Sequence, residues 1–295
     1  MRKLLIFIFL FFLVALGIEV PYRAQASQDV IDVDDSSNQQ ILEFDLSGFG
    51  DKGKKTWNVK GKSADIFGDT VRLEDINARV YGEEDNVDLT ADTGAYNKAE
   101  GTIHLEDNVV VTTESGARLV TDSLDWNQES QKVTTEDDVD ITKENIKVSG
   151  KGIEAKPSLK KVRLNRDIRV DIKDTDFSLT PSEIGQSDKK ESQPVTITCD
   201  GSLDVDYEKQ IATFIKNVKV IYSQGQIHAD KMVVTFDMKG KQIEKVESYG
   251  NVKIINGENT TYSQEAVYTA KDKRIVLTGR PRLIIYSNSS MSFME

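Results

Sequence analysis

The chain has one cysteine and two histidines in 295 residues, and these scarcities remove most catalytic and metal chemistry from consideration. Cys199 alone forms no intrachain disulfide, and a lone cysteine in a β-rich run reads as a small buried hydrophobe. His104 and His228 stand 124 residues apart, each in a predicted strand or at its edge, with no cysteine pair or acidic cluster at ligand spacing. Gly-x-Ser-x-Gly, a phosphate-binding loop and the dinucleotide glycine fingerprint are all missing. No catalytic residue, metal or cofactor is therefore expected. Positive charge is also short: 38 Lys and Arg against 49 Asp and Glu give a formal charge of -11, which argues against a nucleic-acid partner. The acidic clusters at Asp32 to Asp35, Glu136 to Asp140 and Asp171 to Asp176 lack the Gly-rich nonapeptide of calcium-binding β-helices and read as solvated turns. Aromatics are 7% of the residues and charged residues 29%, a balance that suits an elongated array better than a compact enzyme core.

Only one long apolar run exists. Met1-Arg2-Lys3 followed by Leu4 to Ile18 is an export signal by charge and hydropathy, so the remainder works outside the cytoplasm. Fifteen residues rise only about 22 Å as a helix, short for a bilayer core of roughly 30 Å. Ala24-Gln25-Ala26 has a cleavable small-x-small pattern, while Tyr22 and Arg23 suit the flank of a short retained anchor. Residues 1–26 are thus a signal peptide or a membrane anchor, with cleavage favoured. Loss of Arg2, Lys3, Glu19 and Arg23 with them moves the charge from -11 to -13.

What the rest contains is short β-rich runs separated by Gly, Asn and Asp turns, with no window of a dozen residues showing a helical period. The stretch Ile103 to Trp126 shows the plan: an alternating run through Val109-Val110-Val111, a turn at Glu114-Ser115-Gly116, and a second run closing on Leu124 and Trp126. An Asp or Asn followed by a β-branched residue recurs at Ile76, Val109, Val139, Ile168, Val218 and Val252, with Arg280-Pro281 at the next equivalent place. The steps are 33, 30, 29, 50, 34 and 29 residues, the mark of stacked supersecondary units. The long step is explained by 174–194, whose Pro181, Gly185 and Pro194 mark a linker or long surface loop. The expected organisation is a polar tether or loosely held edge strand over 27–54, a β domain over 55–173 with regular structure beginning near Trp57, a second β domain over 195–286, and a frayed tail over 287–295.

Alternation puts Val109 with Val111, Val139 with Ile141, Ile168 with Val170, Val218 with Val220 and Val252 with Ile254 on one side of their strands. Leu124 and Trp126 share a side of the less regular second strand. No single in/out phase carries through every strand, so bulges are expected. These positions are either the interior of a closed sandwich or solenoid, or the lining of an apolar groove between faces that do not close. Composition leaves both open.

Certain residues carry a resemblance. Trp57-x-Val59-x-Gly61-x-x-Ala64, the run Val87 to Asn97, Gly101-x-Ile103-x-Leu105-x-x-Asn108-Val109 and Leu119-x-Thr121-Asp122-x-Leu124-x-Trp126 resemble the periplasmic domain of the LptC family. Val195-Thr196-Ile197, Phe214-x-x-Asn217-Val218-x-Val220, Ile227-x-Ala229-Asp230, Gly250-Asn251-Val252 and Leu277-x-Gly279-x-Pro281 are similar to the LptA, or OstA-like, domain. The resemblance implies an all-β, half-open β-jellyroll (β-taco) whose inner surface holds the acyl chains of lipid A. It also implies a stack of such modules, joined edge to edge, that carries lipopolysaccharide from an inner-membrane ABC transporter toward the outer membrane. The LptA-like piece is shorter than a complete module, so this chain alone is not expected to span the periplasm. Lys161, Arg163 and Arg166 lie in a basic stretch of an acidic protein and read either as a solvated strand face or as a rim for lipid A phosphates or a partner's acidic edge. The alternatives to carriage are a closed β-solenoid interaction protein without lipid and, with less support, a carbohydrate-acting β-helix enzyme.

Overall fold

The computed structural model describes residues 39–49, 53–82, 85–156, 160–175, 193–223, 225–237, 242–272 and 274–285. The apolar N-terminal run, the polar stretch 27–38, most of the expected linker and the tail lie outside these residues. Seventeen strands make up the described chain, joined as an antiparallel sheet, and no helix occurs among the described residues. They are β1 (Gln39–Phe49), β2 (Lys55–Phe67), β3 (Thr70–Tyr81), β4 (Asn86–Asn97), β5 (Thr102–Thr113), β6 (Arg118–Asn127), β7 (Lys132–Lys143), β8 (Ile146–Lys156) and β9 (Lys161–Thr175), followed by β10 (Gln193–Cys199), β11 (Leu203–Asp206), β12 (Ile211–Tyr222), β13 (Gly225–Asp237), β14 (Gln242–Asn256), β15 (Asn259–Thr269), β16 (Arg274–Thr278) and β17 (Arg282–Ile284). Among described residues, the first compact unit holds 39–141 and 152–162, and the second holds 142–151 and 163–285.

Regular structure begins earlier than the expected Trp57. Ten of the eleven residues of β1 pair antiparallel with β2 although all but Phe44 are exposed or half-buried, so backbone bonding rather than side-chain burial holds this strand. Its anchor is Phe44, buried over Gly61, where a Cβ would stand 2.5 Å from the ring. Asn58 Nδ2 adds a bond to the Leu46 carbonyl at 2.8 Å.

The recurring Asn or Asp before a β-branched residue has a specific backbone cause. Asp75, Asn108, Asp167, Asn217 and Asn251 all have positive φ, between 48° and 55°, and so does Arg280 at 60°. Asn and Asp tolerate this left-handed region better than other side-chain-bearing residues. At three of these places the strand carries an extra residue. Residues 107–108 of β5 oppose the single Asp122 of β6, 216–217 of β12 oppose Asp230 of β13, and 250–251 of β14 oppose Gln264 of β15. A bulge of this kind bends the strand and strengthens its twist. The side chain then ties the corner to the preceding strand: Asn108 donates to Asp92 at 2.6 Å, Asn217 to Asp200 at 2.6 Å and Asn251 to Asp230 at 2.8 Å.

These bulges also explain why no single in/out phase runs through all strands. The bulged strands keep theirs, as Leu105, Val109 and Val111 show, all buried on β5. Their unbulged neighbours slip by one at the corner: Ala91 and Gly94 are buried with Asp92 and Thr93 exposed between them, and Ala229 and Met232 likewise flank exposed Asp230 and Lys231. In the second unit, β10 and β11 are two halves of one rung, broken at Asp200 to Ser202, since both pair with β9 and with β12. β16 and β17 similarly share β15, on either side of Gly279 to Pro281.

Candidate functional site: the apolar interior

In the first unit, Val109, Val111, Leu124, Trp126 and Val139 are buried, and Ile141 is half-buried. Val111 pairs with Leu119, Leu105 with Leu124 and Ile103 with Trp126, so the hairpin read from sequence lines the interior along both strands. Trp126 is the unusual member. It is 3% exposed, and its indole N–H is buried without an acceptor. A buried donor left unmet is uncommon and costly.

In the second unit, Ile168, Val170, Val218, Val220 and Val252 are buried and Ile254 is half-buried. Strand register joins these into rungs. Val170 pairs with Ile197, Ile197 with Val220, Val220 with Ile227, and Ile227 with Ile254, a five-strand inward row of branched aliphatics. Ile197, Ile227, Met232 and Val234 belong to this interior and carry no Asn-Val signature, because they sit on strands without the bulge; Val246, also interior, lies on β14 ahead of its bulge. Alternation within β10 and β13, read on each side of the slip, was the signal that finds them. A crevice of about 30 Å³ runs among Ile197, Val220, Ile227, Met232 and Val246, and every side chain lining it is apolar. That is room for about one water, so an alkyl chain enters only if the strands part.

The basic stretch faces outward. On β9, Lys161, Arg163 and Arg166 are exposed, while Val162 and Leu164 between them are buried. Arg163 Nε donates to the Asp204 carboxylate, and Arg166 Nε lies 3.9 Å from Asp167. Arg169 forks onto Asp171 at 2.7 and 2.8 Å, and this bond holds the Asp171 carboxyl below its usual range. The stretch is therefore partly neutralised by its own unit.

A larger depression, about 390 Å³, lies over Ala95 in the first unit and is lined mainly by polar residues. Its His104 Nδ1 is 2.7 Å from Asp125 Oδ1, and the hydroxyls beside them are threonines at strand ends. Cys199 is buried, and burial pushes its thiol pKa up, away from reactivity. No cluster of metal-ligating residues occurs among the described residues.

In each unit the antiparallel strands enclose an aliphatic interior, which defines an all-β module. The chain belongs to the LptC-related lipopolysaccharide-assembly family, whose model matches residues 4–173, more than half of its length. A second family model, the LptA/(LptD N-terminal domain) LPS transport protein, matches residues 196–292. Both families are periplasmic components of the lipopolysaccharide transport bridge and are not known enzymes. Among solved structures, the chain is similar to LptH, the LptA homologous periplasmic component of the lipopolysaccharide transport device of Pseudomonas aeruginosa. Identity is 11% over 68% of this chain and 95% of that one, with a TM-score of 0.20. No match was found among curated proteins.

Proposed function

We propose that this chain is a bridge component that holds lipopolysaccharide acyl chains in its apolar interior and passes them from an inner-membrane ABC transporter toward the outer membrane. The observation that carries this reading is the inward row from Val170 to Ile254, uninterrupted by a polar side chain over five strands. Burying about a dozen methylenes at roughly 0.8 kcal/mol each gives on the order of 10 kcal/mol per acyl chain, enough to offset parting of a few strand contacts. Similar rungs repeated along the sheet offer near-equal energies, which lets cargo move stepwise while direction comes from the transporter.

Attachment and assembly follow from the same reading. The LptC-related match begins at residue 4 and so takes in the apolar run, which supports retention of that run as the membrane anchor. At the two ends of the strand series, β1 exposes Ile41, Leu42, Leu46 and Phe49, and β17 exposes Leu283, features suited to strand addition by neighbouring modules. Arg166 is the rim cation best placed for a lipid A phosphate, because the Asp167 carboxylate beside it stands 3.9 Å from Nε, beyond hydrogen-bond reach.

Photo-crosslinking tests the proposal. Probes at Val109, Trp126, Val139, Val170 and Val220 are expected to capture lipopolysaccharide in cells, and an outward probe at Asp125 is expected to stay silent. Silence at every inward position would leave the closed, ligand-free interaction module as the correct reading.

A further inference from the structure

One face of the second unit has no role in an interior carrier. Beyond the corner, the outward side chains of five consecutive strands form a register-matched row: Lys219 pairs with His228, His228 with Lys253, Lys253 with Tyr262, and Tyr262 with Arg282. At about 4.8 Å per strand this row is roughly 19 Å long. The cations alternate with His228 and Tyr262, and Lys219, Lys253 and Arg282 have no carboxylate partner among the described residues. The carboxylates at the adjoining corner, Asp200 and Asp230, are engaged by Asn217 and Asn251. Tyr262 lies between two cations, with Lys253 Nζ 5.9 Å and the Arg282 guanidinium 5.1 Å from its ring centre.

The next rung toward the strand ends, on the same face, is apolar and neutral. Ile221 pairs with Gln226, Gln226 with Ile255, Ile255 with Thr260, and Thr260 with Ile284. Ile221 is 40% exposed. The two rungs are two residues apart along each strand, about 7 Å. That spacing matches the depth, about 5–10 Å, to which an interfacial apolar surface sits below lipid headgroups. Cations with a tyrosine at one level and isoleucines one step beyond form a surface complementary to anionic headgroups above acyl chains.

We infer that this outer face of the LptA-like unit docks on an anionic phospholipid bilayer, with the Lys219–Arg282 row at the phosphates and Ile221, Ile255 and Ile284 below it. The inference does not depend on the interior holding lipid. Docking would keep this unit beside a membrane independently of residues 1–26.

The test uses the full chain carrying an environment-sensitive fluorophore at Thr260→Cys in a Cys199→Ser background, so that any membrane binding by the N-terminal run is common to every variant. Vesicles of equal phosphatidylglycerol and phosphatidylcholine are expected to shift the emission to the blue, and pure phosphatidylcholine is not. Lys219→Gln/Lys253→Gln/Arg282→Gln should require about 100-fold more anionic lipid for the same shift, and Lys253→Gln alone about fivefold more. Lys54→Gln/Lys98→Gln/Lys271→Gln, matched in charge, should retain the shift. Glu258→Gln, which removes a carboxylate from the β14–β15 turn, should strengthen it. An equal shift on pure phosphatidylcholine would overturn the inference, as would an unchanged response in both Lys253→Gln and the triple variant. The same shift with soluble heparin and no vesicles would replace it with a site for a soluble polyanion.

Discussion

Asn108, with φ of 53°, follows Asp107 at 63°, and its side chain reaches Asp92 at 2.6 Å. Two properties of one residue are combined there, tolerance of the left-handed region and a bond to the neighbouring strand. Asn108→Ala loses both and is expected to destabilise the fold by about 1–2 kcal/mol, whereas Asn108→Gly keeps the backbone freedom and should cost about half as much. Urea denaturation of the two variants checks this order, and equal costs would show that the side-chain bond alone matters. A second residue-scale effect is electrostatic. Burial, then the adjacent Lys219 and Lys253, lowers the pKa of His228 below 6.5. The unfolded chain therefore binds the proton more readily, so stability is fully present above pH 6.5 and falls as pH drops through the folded-state pKa. His228→Gln should flatten that part of the stability profile, measured by thermal melts between pH 7.5 and 5. The Asn-Val recurrence was visible in the sequence, and alternation put its valines and isoleucines on one side of the bulged strands, where Val109, Val111, Val218, Val220 and Val252 are buried and Ile254 is half-buried. Its meaning as a backbone bulge was not visible, because positive φ is a property of chain path. Asp138 before Val139 shows the limit, since the motif is intact and Asp138 is not among the residues with positive φ.

At the scale of the element, each bulged strand dictates the pattern of its neighbours. The one-residue slip at Asp92, Asp122, Asp230 and Gln264 is a response to an extra residue across the ladder, so no window within the slipping strand announces it. The same nonlocal origin leaves β1 half legible: an edge strand was one of two readings of 27–54, and its order comes from pairing with β2. β10 was anticipated as a resumption of rhythm at Val195, but its pairing with β9 across 176–192 was not, since sequence alone gives no register to strands so far apart. Ile197 lies at the centre of that pairing and in the inward row. Ile197→Ala is expected to cost about 3 kcal/mol, seen as a lower urea midpoint at unchanged m-value. A cost under 1 kcal/mol would mean that the β9–β10–β12 rungs do not share one packed interior.

For the molecule as a whole, composition excluded more than it identified. Sparse Cys and His argue against redox and metal chemistry, and the acidic balance argues against nucleic acid, while the family was carried by short motifs whose order along the chain is specific. The crevice among Ile197, Val220, Ile227, Met232 and Val246 in the second unit's interior holds about 30 Å³. Lipid carriage therefore requires that interior to widen, and a closed interaction module does not. The decisive measurement is the spin-label distance between Ile197→Cys and Val246→Cys, which both line the crevice, in a Cys199→Ser background, with and without lipopolysaccharide. Carriage predicts a lengthening of roughly 4 Å, one added layer of van der Waals contact, when lipopolysaccharide is bound. Binding of lipopolysaccharide with this distance unchanged would contradict it.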